Sequence, residues 1–245
     1  MIVTNIESGW EIVFQPSHGV LAGSLALQFA DEWRGRFWVE TVAAIIGHDD
    51  DKEEFGENHY LTELGAPRDF TLMSMDDKAR YLEAKRRIGN AYRKHTWIGL
   101  LQGMHVEFLY DDKDVLPELL ELMDEEKKQR TRELRLLGLS KSELNRGYDL
   151  LRWCDRCSLI LCQGALPVGG RRLEIISISD KTRYEIWQRD DESIGVDPWP
   201  FATTSFNVGV EVRIVEQLAF EDDLELADAL EAAKRNQREW TIRKN

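Results

Sequence analysis

Histidine and cysteine are scarce in this sequence, with five and three residues among 245. The cysteines, Cys154, Cys157 and Cys162, are odd in number and fall on one stretch that reads as a helix. Such a set is no disulfide framework and points to a reducing compartment, so a cytoplasmic location is expected. Cys154 and Cys157 have C-x-x-C spacing, but no second pair completes a structural zinc site, and on a helix they read as small apolar packing residues. Long hydrophobic runs are missing too: none approaches the roughly 18 residues needed to cross a bilayer. The opening stretch, Met1 to Val13, has no basic region followed by an apolar run, so no signal peptide is expected. Nor is there a basic footprint. Lys and Arg number 32 against 45 Asp and Glu, a net charge of −13, which argues against nucleic acid and anionic membranes as partners. It does not argue against a small anionic substrate, because a metal or a local arginine reverses the field inside a pocket.

What the chain does have is enough apolar material for a core. Hydrophobic residues make up 42% and tryptophan contributes eight residues, and large aromatics bury much area each. Ile2-Val3 and Trp10 to Phe14 read as two short strands around a Ser8-Gly9 turn. Ser17 is expected to cap a helix from His18 to Trp33. A second helix is expected over 37–48, with Val39, Val42, Ala43 and Ile46 as its apolar stripe. Residues 50–75 read as loop. Further helices are expected over 76–94 (polar), 97–110 (strongly apolar) and 114–137 (long and charged, a solvated face). Ser140 with Glu143 forms a capping-box pattern that opens a helix running to about Cys162. Beyond Pro167 and Gly169-Gly170 the pattern alternates. Residues 173–179 and 183–189 read as a hairpin, 205–215 as a strand, 222–235 as a short helix and 239–243 as a final strand. The expected fold is therefore mainly α, a single domain over 1–245. A helical body spans 15–165, and 1–14 with 166–245 supply a small antiparallel sheet and one helix.

Three of the five histidines lie in or beside apolar helical stretches: His18, His48 and His105. Asp155 lies in another, Leu150 to Leu159. A carboxylate on such a helix is costly to bury unless it is paired or bound to metal. Imidazole and carboxylate are common ligands of Zn, Mn, Fe and similar ions, and ligands on separate helices can converge inside a bundle. Blander readings exist. His48 suits a helix C-terminus, Asp49 to Asp51 suit an acidic turn, and Asp155 suits an ion pair with Arg152 or Arg156. His59 and His95 read as surface residues.

The order His18, then His48-Asp49, then Asp155 resembles the HD superfamily of metal-dependent phosphohydrolases. In that superfamily these positions bind one metal, and a further helical histidine, matched here by His105, often serves a second metal or the substrate phosphate. The resemblance implies an HD-like helical bundle and a divalent ion (Mn, Fe, Ni, Zn or Mg) held by His18, His48, Asp49, Asp155 and His105. It implies hydrolysis of a small phosphorylated compound or nucleotide. Asp49 or Asp50 would orient or deprotonate water, and His105 with Arg68 or Arg156 would stabilise the phosphate. Two other outcomes stay open: an HD-fold di-iron oxygenase, which needs more histidine ligands, and a non-catalytic metal- or ligand-binding module. A homodimer is also compatible.

A second resemblance covers nearly the whole chain. Gln15-Pro16-Ser17-His18, Ala44 to Asp50, Gly65 to Phe70, Met104-His105, Asp155 to Leu159 and Asp197 to Phe201 are similar to the bacterial domain-of-unknown-function family 3891. Many members carry Gly-Trp after the His-Asp-Asp, where this sequence has Asp51-Lys52, a change expected to touch the pocket wall and not the ligands. This resemblance leaves the substrate open.

Overall fold

The structure is a computed structural model that describes residues 1–50, 59–110 and 116–244. Strands β1 (Ile2–Ile6) and β2 (Gly9–Val13) form an N-terminal hairpin. Helices α1 (Gln15–Ala26) and α2 (Trp38–Ile46) follow. Then come α3 (Asp77–Lys94), α4 (Thr96–Leu109), α5 (Pro117–Leu137) and α6 (Lys141–Cys162). The chain continues through β3 (Leu173–Ser177), β4 (Arg183–Gln188), β5 (Ile194–Asp197) and β6 (Ser205–Val215) to α7 (Asp223–Ala232) and β7 (Lys234–Arg243). Among the described residues, no helix is long and apolar enough to cross a membrane.

Helix starts are set by local chemistry. The Asp76 carboxylate accepts from the Ala79 amide at 2.8 Å and opens α3. His95 is a cap, its Nδ1 accepting from the Trp97 amide at 3.1 Å where α4 begins. The expected capping box is present, with Glu143 and Ser140 each bonding the other's backbone at the start of α6. Ser17 is not a cap. Pro16 occupies the first turn, where its missing N–H goes unmissed, so α1 begins at Gln15 and places His18 one turn inside. The same helix ends at Ala26, well short of Trp33, and Asp31–Trp33 forms a separate short turn.

The sheet corrects the expected fold class. It has seven strands in the order β1-β2-β6-β7-β5-β4-β3. All pairings are antiparallel except β5 with β7, which is parallel. Helix accounts for 48% and strand for 22%. This is a helical layer on a large, curled mixed sheet, not a mainly helical bundle with a small antiparallel appendage. Two strands caused the misreading. β5 is only four residues long and buried along Ile194 to Val196, too short for any alternation to show. β7 begins Lys234-Arg235-Asn236-Gln237-Arg238, residues with no apolar rhythm. It is strand because it pairs residue by residue with β6, from Lys234 opposite Ile214 to Arg243 opposite Ser205.

Helices and sheet share one core. Leu21 and Leu25 of α1, Ile45 of α2, Leu100 and Leu101 of α4, and Leu151, Trp153, Cys154 and Cys157 of α6 form one cluster with Val208, Val210 and Val212 of β6. On the opposite face, Ile12 and Val215 pack under Leu226 and Leu230 of α7. The buried side of α2 also differs from the expected stripe. Val39 is 75% exposed, while Thr41, Val42, Ala44 and Ile45 are buried. This rotation carries the residues after Ile46 inward.

Candidate metal centre

Four helices bring the predicted residues together. α1 supplies His18. The turn after α2 supplies His48 and Asp49, α4 supplies His105, and α6 supplies Asp155. All three histidines and Asp49 are buried. His18 Nε2 lies 3.2 Å from Asp49 Oδ2, and His48 Nε2 lies 3.1 Å from Asp155 Oδ1. The His48 ring sits 4.9 Å from that of His18 and 5.4 Å from that of His105, edge-on to both. Candidate ligand atoms of His18, His48 and Asp49 lie within 4.8 Å of one another, as do those of His48, His105 and Asp155.

The second ring nitrogens settle which way each imidazole presents its lone pair. His48 Nδ1 is 2.7 Å from the Ile45 carbonyl, which only accepts, so Nδ1 carries the proton and donates. The Ser158 hydroxyl donates to the Asp155 carbonyl at 2.8 Å, leaving its oxygen to accept from His18 Nδ1 at 3.1 Å. In the neutral form of each ring Nε2 is then a bare acceptor aimed at a carboxylate oxygen. Two acceptors at such distance repel unless a cation or a proton lies between them.

Electrostatics separate the two rings: without an ion His18 is neutral, whereas His48 holds a proton between its Nε2 and Asp155. Burial lowers the His18 pKa and, despite the Asp49 hydrogen bond, keeps that ring neutral. Burial would also lower His48, but the charges of Asp155 and Asp49 outweigh it and raise His48 well above its ordinary value. Asp155 is held below the usual carboxylate range: burial opposes ionisation, and the His48 charge overcomes it. Burial depresses His105 to about 3, so it is a neutral donor ligand in waiting, and its Nδ1 has no hydrogen-bond partner among the described residues. Two buried carboxylates, three imidazoles and fixed tautomers fit a divalent ion, whose ligands must be deprotonated.

Two participants escaped the sequence reading. Arg87 of α3 is buried, with Nη2 2.8 Å from Asp49 Oδ1 and 3.7 Å from Glu83 Oε1. Ala84, Ile88 and Ala91 are buried on the same face, so a signal existed: an arginine standing in the apolar stripe of an otherwise polar helix. Gln102 donates from Nε2 to the His48 carbonyl at 2.7 Å and pins the turn after α2.

Other candidates lie elsewhere. Asp50 is on the outer side of the turn, its carboxylate 3.7 Å from Lys94 Nζ and 45% exposed. Arg68 sits in the loop beside β1, its amide donating to the Tyr60 carbonyl. Arg156 is exposed on α6. Neither Arg152 nor Arg156 pairs with Asp155, which bonds His48 instead. His59 is exposed. Asp51 and Lys52 lie outside the described residues.

No curated protein and no solved structure matches the chain. Residues 1–217 match the model of the family described as Protein of unknown function (DUF3891), and the chain belongs to that family.

Proposed function

We propose that the protein is a metal-dependent hydrolase with an HD-type ligand order, acting on a small phosphorylated compound in a reducing cytoplasm. The observation that carries this reading is the convergence of the imidazole Nε2 atoms of His18 and His48 on the Asp49 and Asp155 carboxylates at 3.1–3.2 Å, with His105 beside them. A divalent cation at that place takes the lone pair of His18 Nε2, displaces the proton from His48 Nε2, and offsets the cost of burying Asp49 and Asp155. When bound, it supplies Lewis-acid polarisation of a phosphoryl oxygen and a lowered water pKa. The chain's own residues do the rest. Ile45 and Ser158 hold the two imidazoles in register, and Arg87 takes the second oxygen of Asp49. His105 presents a neutral nitrogen at the inner wall, where it bonds a substrate oxygen or adds a ligand. Asp155 is the acidic group nearest solvent, placed to accept a proton from an attacking water.

The test is elemental analysis of protein grown in metal-rich medium, with turnover measured on phosphomonoesters, phosphodiesters and nucleotides with added Mn, Mg, Ni or Fe. About one divalent ion per chain is expected in the wild type and far less in His48→Ala. Asp155→Ala is expected to abolish turnover. Equal metal contents in wild type and His48→Ala would sink the reading.

A further inference from the structure

Among the described residues the cluster meets solvent at Asp155. Its side chain is 15% exposed, against 0% for His18, 1% for His48 and Arg87, and 8% for Asp49. That opening lies on α6, and the face of α6 at that point carries two further donors. Tyr148, Arg152 and Asp155 follow one another at intervals of four and three residues, so they share one helical face. That face lies against α4. The Tyr148 ring is 6.4 Å from His105, and the Arg152 guanidinium is 4.2 Å from the centre of the Phe108 ring.

Neither donor has an acceptor. Arg152 is half-buried and makes no ion pair or hydrogen bond among the described residues, although 45 acidic residues crowd the chain. Asp155, one turn away, bonds His48 instead. Tyr148 is more than nine-tenths buried, and its hydroxyl has no hydrogen-bond partner among the described residues. Phe108 holds the guanidinium by cation–π contact, which uses none of its N–H donors. An arginine removed from water is usually spent on a carboxylate or a carbonyl, as the buried Arg87 is on Asp49 and the half-buried Arg130 on Glu107. One kept free, beside a buried free hydroxyl and at the open side of a His–Asp cluster, is placed to receive an anion.

We infer that Tyr148 and Arg152 form an oxyanion-binding arm at the mouth of the cluster, which takes the non-bridging oxygens of a phosphoryl group. This rests on the reading of the cluster as a metal centre and gives it a substrate side: a dianionic phosphomonoester or its product, inorganic phosphate. The arm uses the planar guanidinium fork for two oxygens and the phenol O–H for one. It also replaces Arg68 and Arg156, the substrate-binding arginines expected from the sequence. The first lies beside β1, and the second is on the exposed side of α6.

The test titrates inorganic phosphate by calorimetry into the full chain, metal-loaded and chelated, with metal content measured on each sample. Arg152→Gln is expected to weaken phosphate binding about 10- to 100-fold, Arg152→Lys by less, and Tyr148→Phe a few-fold. Arg156→Gln, which removes the same charge four residues further along α6, is expected to stay within about twofold of wild type. Metal content is expected to be equal in all five proteins. Phosphate binding that ignores Arg152 while metal is retained overturns the arm and leaves the metal centre standing. An equal loss in Arg156→Gln, which would mark a general charge effect, also overturns it, as does a wild type that binds no phosphate with or without metal. Arg152-dependent binding to a chain that takes up no metal keeps the arm and removes the metal centre.

Discussion

Arg87 is the residue on which the closed end of the site turns. Its guanidinium, 2.8 Å from Asp49 Oδ1, is the buried countercharge to that carboxylate. Arg87→Met keeps much of the length and removes the charge. Because it strands a buried carboxylate, it is expected to destabilise the fold by roughly 3–5 kcal/mol in urea unfolding at neutral pH. Arg87→Met with Asp49→Asn is expected to lose clearly less than the sum of the two single changes, since the Asp49 charge is then no longer stranded. Additive losses would mean the two residues do not act as a pair. The histidines and Asp155 were legible in the sequence because they are rare polar residues in apolar helical surroundings. Arg87 was not, because α3 reads as polar throughout, and a charged residue there looks like one more solvated side chain. Asp50 misled for the opposite reason. It adjoins Asp49 in sequence, but the turn after Ile46 sends consecutive side chains to opposite sides, one to Arg87 and one to Lys94.

At the scale of elements, the site depends on how closely α1 approaches α2. A Cβ added to Gly19 would lie 2.3 Å from the Ile46 carbonyl oxygen, and one added to Gly23 would lie 2.3 Å from the Ile46 Cγ1. The first obstacle is backbone and cannot turn aside, whereas the second is a side chain that is 37% exposed and can. Glycine inside a helix normally costs about 1 kcal/mol relative to alanine, so Gly→Ala there should stabilise. Gly19→Ala is expected to reverse that sign, destabilising by roughly 1–3 kcal/mol through overpacking and displacing His18 from Asp49. Gly23→Ala is expected to cost less. Urea unfolding of the two variants side by side checks this, and equal effects would show that α1 can slide along α2 freely. This close approach left a faint trace in the sequence, two glycines four residues apart on an apolar helix, and needed the structure to be read. The capping box of α6 was legible because it is written in adjacent side chains. The strand character of β7 was not, because it is imposed by β6.

Across the whole molecule, the consequence of a shared core is that the site should not survive separately from the sheet. Trp153, Cys154 and Cys157 on one face of α6 pack with Val208, Val210 and Val212 of β6, while the opposite face carries Tyr148 and Asp155 toward α4. At the end of α6 the Cys162 carbonyl accepts from Arg238 Nη1 of β7 at 3.2 Å, joining the last turn of the helix to the last strand. The three thiols are therefore reporters of one event. All are buried, and burial raises each thiol pKa, Cys162 to about 12 and the other two as well. At pH 8 the native chain presents almost no thiolate, which is the reactive form. A short iodoacetamide pulse at pH 8, applied across the urea transition and read by intact mass, is expected to find chains carrying no adduct or three, their proportions following the unfolding curve. Chains with one or two adducts at the midpoint would show that α6 frays from the sheet before the core opens. In that case the metal centre could be lost while the strands remain paired. A strict none-or-three pattern ties His18, Asp155 and the sheet to a single cooperative unit, so that a core substitution as remote as Val210→Ala lowers occupancy of the site only by raising the unfolded fraction.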